Sequence, residues 1–259
     1  MNQEERRRFL IEELLRERLS CRRQEIPADT DRQKVLLRSL MNVRHPGAIS
    51  QRFIEVQDAY LQGELAAKKI TRLSELSPLQ NGIYLWRGDI TTLDCGAIVN
   101  AANRGMTGCY QPCHNCIDNC IHTFAGVQLR LKCAEIMEQQ GYEEPTGQAK
   151  ITPAYNLPCD YVIHTVGPIV RGELTRQHCE LLKSCYRSCL ELADENNVGS
   201  IAFCCISTGI FMFPNDRAAE IAVQTVQEYK AETGSKIEVV FNVFKEQDER
   251  IYRKLLSAD

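Results

Sequence analysis

From about residue 81 onward, short apolar runs alternate with long amphipathic stretches, and each run stops at a small polar segment. Ile83-Tyr84-Leu85-Trp86 stops at Arg87-Gly88-Asp89-Ile90-Thr91, and Ala97-Ile98-Val99 stops at Asn100-Ala101-Ala102-Asn103. Tyr161 to Val166 stops at Gly167-Pro168, and Ser200 to Ile206 stops at Ser207-Thr208-Gly209-Ile210-Phe211. A last apolar run covers 237–243. The spacing between them predicts helices over about 118–140, 175–196, 214–232 and 247–256. Pro214 opens the third of these, where a missing N–H is harmless. Such alternation specifies an α/β fold with a mostly parallel sheet and helices on both faces. Ligands then bind just beyond the strand carboxyl ends. The four polar segments therefore predict one binding rim.

Residues 1–80 read differently. Leu10, Ile11, Leu14, Leu15 and Leu19 recur at helical steps among charges over 1–20. Pro27 to Asp31 breaks that helix, with Asp29 or Thr30 as N-cap of the next. Val35 to Leu40 is its apolar part and His45-Pro46-Gly47 its end. A third helix is predicted from Ser50 to about Ile70, burying Phe53, Ile54, Val56, Tyr60 and Leu61. We expect an N-terminal helical extension, 1–80, packed on a catalytic domain, 81–259. A net charge of −3 argues against a general nucleic-acid footprint. The first residues carry no apolar signal segment, and no run reaches the roughly 20 apolar residues of a membrane span. The expectation is a cytoplasmic protein with no membrane partner. Its thirteen cysteines are then reduced thiols, metal ligands or catalytic groups.

Chemistry concentrates in Asn103–Phe124, which carries Cys109, Cys113, Cys116, Cys120, His114 and His122. Its first half is loop-like, with Gly105, Gly108 and Pro112, and its second half is helical from Ile117. That is the pattern of a metal-ligand loop feeding a helix. The helix start offers free amides and a dipole for an anion, and Ser207 to Phe211 offers amides, hydroxyls and a close-approach glycine for another. Two anion sites suit a diphosphate. Asp89 suits a nucleobase amino group or a strand-end cap, and Asn100 and Asn103 suit sugar hydroxyls or loop caps. Phe211 suits an adenosine or the core.

Taken in order, Gly88-Asp89-Ile90-Thr91, Val99-Asn100-Ala101-Ala102-Asn103, Ile117-Asp118 with Ile121-His122, and Ser207-Thr208-Gly209-Ile210-Phe211 with Pro214 resemble the macrodomain family. Gly147-Gln148-Ala149 and Val162 to Pro168 are similar to it as well. The resemblance covers about 82–257 and implies a three-layer sandwich with a mixed, mostly parallel central sheet. It also implies ADP-ribose as ligand. Asp89 would hold the adenine amino group beside Ile90. Ile117 and Asp118 would approach the proximal ribose and phosphate. Ser207, Thr208, Gly209, Ile210 and Phe211 would wrap the diphosphate, and Asn103 would face the distal ribose.

One departure is specific. Cys109 to Cys116 replaces the family's glycine-rich run and resembles a zinc-containing bacterial subclass with a helical N-terminal extension. That subclass implies a protein-ADP-ribose hydrolase with one catalytic Zn²⁺ per chain. It further implies a mono-ADP-ribosylated protein substrate, in some bacteria a lipoyl-carrier protein modified by a sirtuin-like transferase. Catalytic zinc takes three thiolate or imidazole ligands and leaves one position open. Residues two apart in an extended segment share a side, which pairs His114 with Cys116, and Cys109 completes the set; Cys113 is the rival. Cys120, His122 and His164 read as buried structural residues. Asn103 and Asp118 are the candidate catalytic residues, Asp118 as base or as helix cap. The expected reaction is hydrolysis of carboxylate-linked ADP-ribose from protein. Competing readings are an ADP-ribose-binding module with a structural zinc and a hydrolase of the free O-acetyl ester.

Overall fold

The computed structural model describes residues 1–18 and 25–257. Three helices come first: α1 (Gln3–Glu17), α2 (Thr30–Val43) and α3 (Gln51–Ala66). Leu19, counted above in the first helix, lies outside the described residues. Each helix starts on a side-chain cap. Asn2 accepts from the Glu5 N–H in a capping box, Asp29 from Arg32 and Ser50 from Phe53. Leu10, Ile11, Leu14, Leu37, Leu40, Phe53, Val56 and Tyr60 form their shared apolar centre, which Val127 of the following fold joins. The third helix stops at Ala66, earlier than expected. The chain then forms a two-residue strand, β1 (Thr71–Arg72), paired with β3 (Leu93–Asp94).

The main sheet holds six strands in the order β2-β8-β7-β4-β6-β5. These are β2 (Ile83–Arg87), β4 (Ala97–Ala101), β5 (Ala149–Pro153), β6 (Tyr161–Thr165), β7 (Ser200–Phe203) and β8 (Glu238–Val243). All neighbours run parallel except β5, which lies antiparallel on the β6 edge. Helices α4 (Ile117–Ala125), α5 (Val127–Gln140), α6 (Arg176–Glu195), α7 (Asn215–Thr233) and α8 (Glu246–Leu256) complete the layers. Val99, Ile163, Ile201 and Val239 are among the fully buried strand residues, as expected of a sheet covered on both faces.

The helix expected over 118–140 is two helices. Gly126 breaks it at φ +98°, a conformation that L side chains rarely adopt. A Cβ there would lie 2.5 Å from Nε2 of Gln57, on α3. That amide occupies the break. Its Oε1 accepts the Val127 N–H at 3.0 Å and its Nε2 donates to Gln128 Oε1 at 2.6 Å. A distant helix therefore caps α5. Strand β5 was not expected, and the strand over 200–206 ends at Phe203. Among the described residues no helix is long and apolar enough to cross a membrane.

Gly126→Ala should cost about 2–4 kcal/mol of stability, from backbone strain at positive φ plus displacement of the Gln57 amide. Urea unfolding of the two full-length proteins measures it. A change under 0.5 kcal/mol would refute this account of the break.

Candidate active site

Parallel strands deliver their following loops to one edge of the sheet. Along that edge the order is Gly88-Asp89 after β2, Phe244 after β8, 204–213 after β7 and 102–116 after β4. The β6 loop, 166–171, lies beyond.

Asp89 caps the short turn Ile90–Thr92. Its Oδ1 accepts from Thr91 N (3.0 Å) and Thr91 Oγ1 (2.6 Å). Its Oδ2 faces Lys68 Nζ at 3.8 Å, and the side chain is 44% exposed, so one oxygen remains available to a ligand. Ile90 is buried beneath it. The Gly88 N–H donates to Val243 O at 3.1 Å, which sets the next residue, Phe244, beside the Asp89 turn. Phe244 is 79% exposed. Sequence reasoning missed this residue, although an aromatic directly after the last strand was a usable signal.

Ser207 sits at φ +66° and its buried Oγ has no hydrogen-bond partner among the described residues. The loop is pinned by Phe213 N to Ser207 O and Met212 N to Gly209 O, both 3.0 Å. Among the described residues this leaves the N–H groups of Gly209, Ile210 and Phe211 without a backbone acceptor. Gly167 packs against the same hydroxyl, since a Cβ there would collide with Ser207 Oγ. Thr208 and Phe211 are half-buried, and Ile210 is exposed. The turn thus offers several unused donors, as an anion site requires.

Asp118 lies in the first turn of α4, with its side chain 7% exposed. Its Oδ1 accepts from Asn100 Nδ2 at 2.8 Å and its Oδ2 from Asn103 Nδ2 at 3.2 Å. Burial pushes its carboxyl up to about 6, against the lowering effects of Asn100, Arg130 and Asn103. Asn100 is fully buried and also meets His164 Nδ1 at 3.1 Å, so it supports Asp118 rather than a sugar. Asn103 also donates to Gly108 O at 3.1 Å. His122, one turn on, was read as core. It is buried, but its Nε2 lies 3.6 Å from Asp118 Oδ1 and, among the described residues, neither ring nitrogen has a hydrogen-bond partner. Gly108 crosses that ring at φ +86°, where a Cβ would come within 2.8 Å of it. Ile117 is half-buried at the head of the helix.

Cys109, His114 and Cys116 each place a ligand atom within 4.8 Å of the other two, and Cys109 Sγ lies 3.6 Å from His114 Nδ1. Tetrahedral zinc, with bonds near 2.0–2.3 Å, sets its ligands about 3.5 Å apart, so this two-thiol, one-imidazole set fits it. The grouping arises from a turn rather than from an extended segment. His114 N donates to Gln111 O at 3.3 Å around Pro112 and Cys113, and Cys113 is left-handed at φ +53°. That sends the Cys113 thiol to Val35 O on α2, 3.5 Å away. Cys120 lies 3.7 Å from Arg38.

The Macro domain family matches over residues 99–222. A protein named Protein-ADP-ribose hydrolase from Treponema medium is 62% identical over 99% of this chain and 100% of its own. One of the same name from Staphylococcus aureus (strain MSSA476) is 49% identical over 97% of this chain and 95% of its own. The chain belongs to the macrodomain family. The Trypanosoma brucei macrodomain in complex with ADP-ribose superposes with a TM-score of 0.65 at 29% identity, covering 84% of this chain and 94% of that one.

A pH dependence follows from the buried His164, which burial holds down to about 3 from an ordinary 6.5. The unfolded chain binds this proton below pH 6.5 and the folded chain does not. Stability is therefore full above pH 6.5 and falls as the pH drops toward 3. By pH 4.5 wild type should lose about 2–3 kcal/mol more than His164→Gln, as read from urea unfolding at several pH values. Equal losses would show that His164 takes up its proton in the folded state.

Proposed function

We propose that this chain is a zinc-dependent hydrolase that removes ADP-ribose from mono-ADP-ribosylated protein, acting on carboxylate (Asp or Glu) esters. The observation that carries this is the order of loops along the rim. The strand order β2-β8-β7-β4 lays out the Asp89 turn, the donor-rich 207–211 turn and the Asn103–Cys116 loop in that sequence. Adenosine, diphosphate and distal ribose follow one another in ADP-ribose in the same way. Three strand spacings, about 14 Å, separate the first loop from the last. The names of the full-length relatives support hydrolysis over mere binding.

In this reading Asp89 accepts from the adenine amino group beside Ile90, and Phe244 stacks on the base. The N–H groups of Gly209, Ile210 and Phe211, with the Ser207 and Thr208 hydroxyls, hold the diphosphate. Ile117 and Asp118 approach the proximal ribose and phosphate through the head of α4. Asn103 orients the distal ribose, and Asp118 accepts and holds a proton from the reacting hydroxyl or water. Cys109, His114 and Cys116 would hold Zn²⁺, two thiolates cancelling its charge. Bound there, the ion would polarise an ester or ribose oxygen or lower the pKa of a water. Water adds across the ester; the acyl–oxygen bond breaks, the sugar keeps its hydroxyl, and the protein regains its carboxylate with release of a proton. Thiolate ligands need a reducing compartment, which supports the cytoplasm. The resemblance of the metal loop and N-terminal helices to the zinc-containing subclass supports a lipoyl-carrier protein, modified by a sirtuin-like transferase, as the substrate.

The test is release of free ADP-ribose from mono-ADP-ribosylated protein before and after a strong chelator, with circular dichroism in parallel. Release should vanish with the metal while fold and ADP-ribose binding persist. Release that survives verified metal loss would refute zinc dependence. Binding without release would make the chain a reader, and release from the O-acetyl ester alone would make it a free-ester hydrolase. Asp118→Asn should slow release at saturating substrate about 100-fold or more, as for a group active in proton transfer. Release at the wild-type rate would remove Asp118 from the chemistry.

A further inference from the structure

The N-terminal helices carry no residue assigned above to the chemistry, yet α2 lies against the metal loop. Residues 102–116 contain no helix or strand, so the loop's shape depends on side-chain bonds. Two residues of α2 bond to the ligand end of the loop, His114 and its neighbours Cys113 and Asn115. Nη2 of Arg38 lies 2.7 Å from His114 O, 3.3 Å from Asn115 Oδ1 and 3.2 Å from Asn119 Oδ1. Asn42, one helical turn on and buried, accepts the Cys113 N–H on Oδ1 at 2.9 Å and donates from Nδ2 to Thr123 Oγ1 at 2.8 Å.

Asn119 extends the same node to the sulfur ligands. It is fully buried on α4. Its Nδ2 donates to Gln111 O at 2.9 Å and to Cys109 O at 3.3 Å, and its backbone N–H points to Cys116 Sγ at 3.4 Å. The Arg38 guanidinium therefore touches the His114 carbonyl directly and, through Asn119, is linked to the Cys109 carbonyl by the side-chain amide and to Cys116 Sγ by the backbone N–H. All of these contacts fall on one nitrogen, Nη2, which the rigid guanidinium holds at a fixed angle, whereas a lysine ammonium on its flexible stem would not hold the same position.

We infer that Arg38 is a positioning residue for the Cys109–His114–Cys116 group, and that α2 holds the metal loop in its ligating shape. This rests on the zinc assignment proposed above. Residues behind metal ligands typically contribute 10- to 100-fold in metal affinity by fixing ligand orientation. The same range is expected here.

The experiment uses the full-length protein stripped of metal, titrated with Zn²⁺ alone in competition with a chromophoric chelator. Arg38→Ala should bind Zn²⁺ about 10- to 100-fold more weakly than wild type. Arg38→Lys should fall between them. Lys34→Ala removes the 2.8 Å ion pair with Glu64 from the same helix, one turn earlier, and should bind as wild type. Melting of the metal-free proteins is followed in parallel. A purely structural Arg38 would lower the melting temperature while leaving the zinc affinity of the folded protein unchanged. Wild-type affinity in Arg38→Ala therefore overturns the inference. If Arg38→Ala does not fold, wild-type affinity in Arg38→Lys overturns it in the same way. A wild-type protein that binds no Zn²⁺ removes the zinc assignment and the inference with it. Tight binding by wild type and by Arg38→Ala alike refutes the inference alone.

Discussion

A carboxylate taken almost wholly out of water must be met by donors, and the site is arranged around that requirement at Asp118. Its two oxygens are met by two asparagines of one short segment, Asn100 at the end of β4 and Asn103 in the loop beyond. Behind Asn100, His164 meets Thr152 Oγ1 at 2.9 Å, so the chain of contacts crosses β5, β6, β4 and α4. Leaving one such group unsatisfied costs about 1–3 kcal/mol, more where a charge is involved. The head of α4 is thereby fixed relative to the sheet, and Cys116, its N-cap, is fixed with it. The position of the Cys109–His114–Cys116 group is in this sense a consequence of holding one acid in place.

The architecture was legible because its signals are local. Apolar runs ending in Gly88-Asp89, Asn100 to Asn103 and Ser207 to Phe211 mark strand ends without help from the rest of the chain. Strand β5 was not legible: Ala149-Lys-Ile-Thr-Pro is an edge strand, and its charge and proline read as loop. The Gly126 break was hidden because a lone glycine is tolerated within a helical pattern, and the group that occupies the break, Gln57, lies 70 residues from Val127. The candidate site was legible as a list of residues but not as a grouping. Spacing alone left Cys113 as a rival to the chosen ligands; a left-handed turn at Cys113, invisible in composition, sends its thiol toward α2. Phe244 and the Asp118–His122 contact depend on where β8 and α4 end, and Arg38 on which helix lies over the loop.

The N-terminal helices share that interface more deeply than a change of composition near residue 80 suggests. Arg130 of α5 donates to the carbonyls of Met41, Asn42 and Arg44, at 3.1, 2.8 and 2.6 Å, closing the end of α2 where its carbonyls lack helical partners. Its guanidinium stacks over Tyr110 in the 102–116 loop at 4.4 Å, and His45 stacks on the same ring. Gln57 caps α5, and Asn156 reaches Asp58 Oδ1 at 2.7 Å. Each pairing joins a polar group from either side, and separating the two parts would exchange these bonds for bonds to water. At a net of about 0.5–1.5 kcal/mol each, several such bonds are a sizeable share of the roughly 5–15 kcal/mol that stabilises a typical domain. In energetic terms the extension is one wall of the α4–α5 layer, and the 102–116 loop lies between that wall and the sheet.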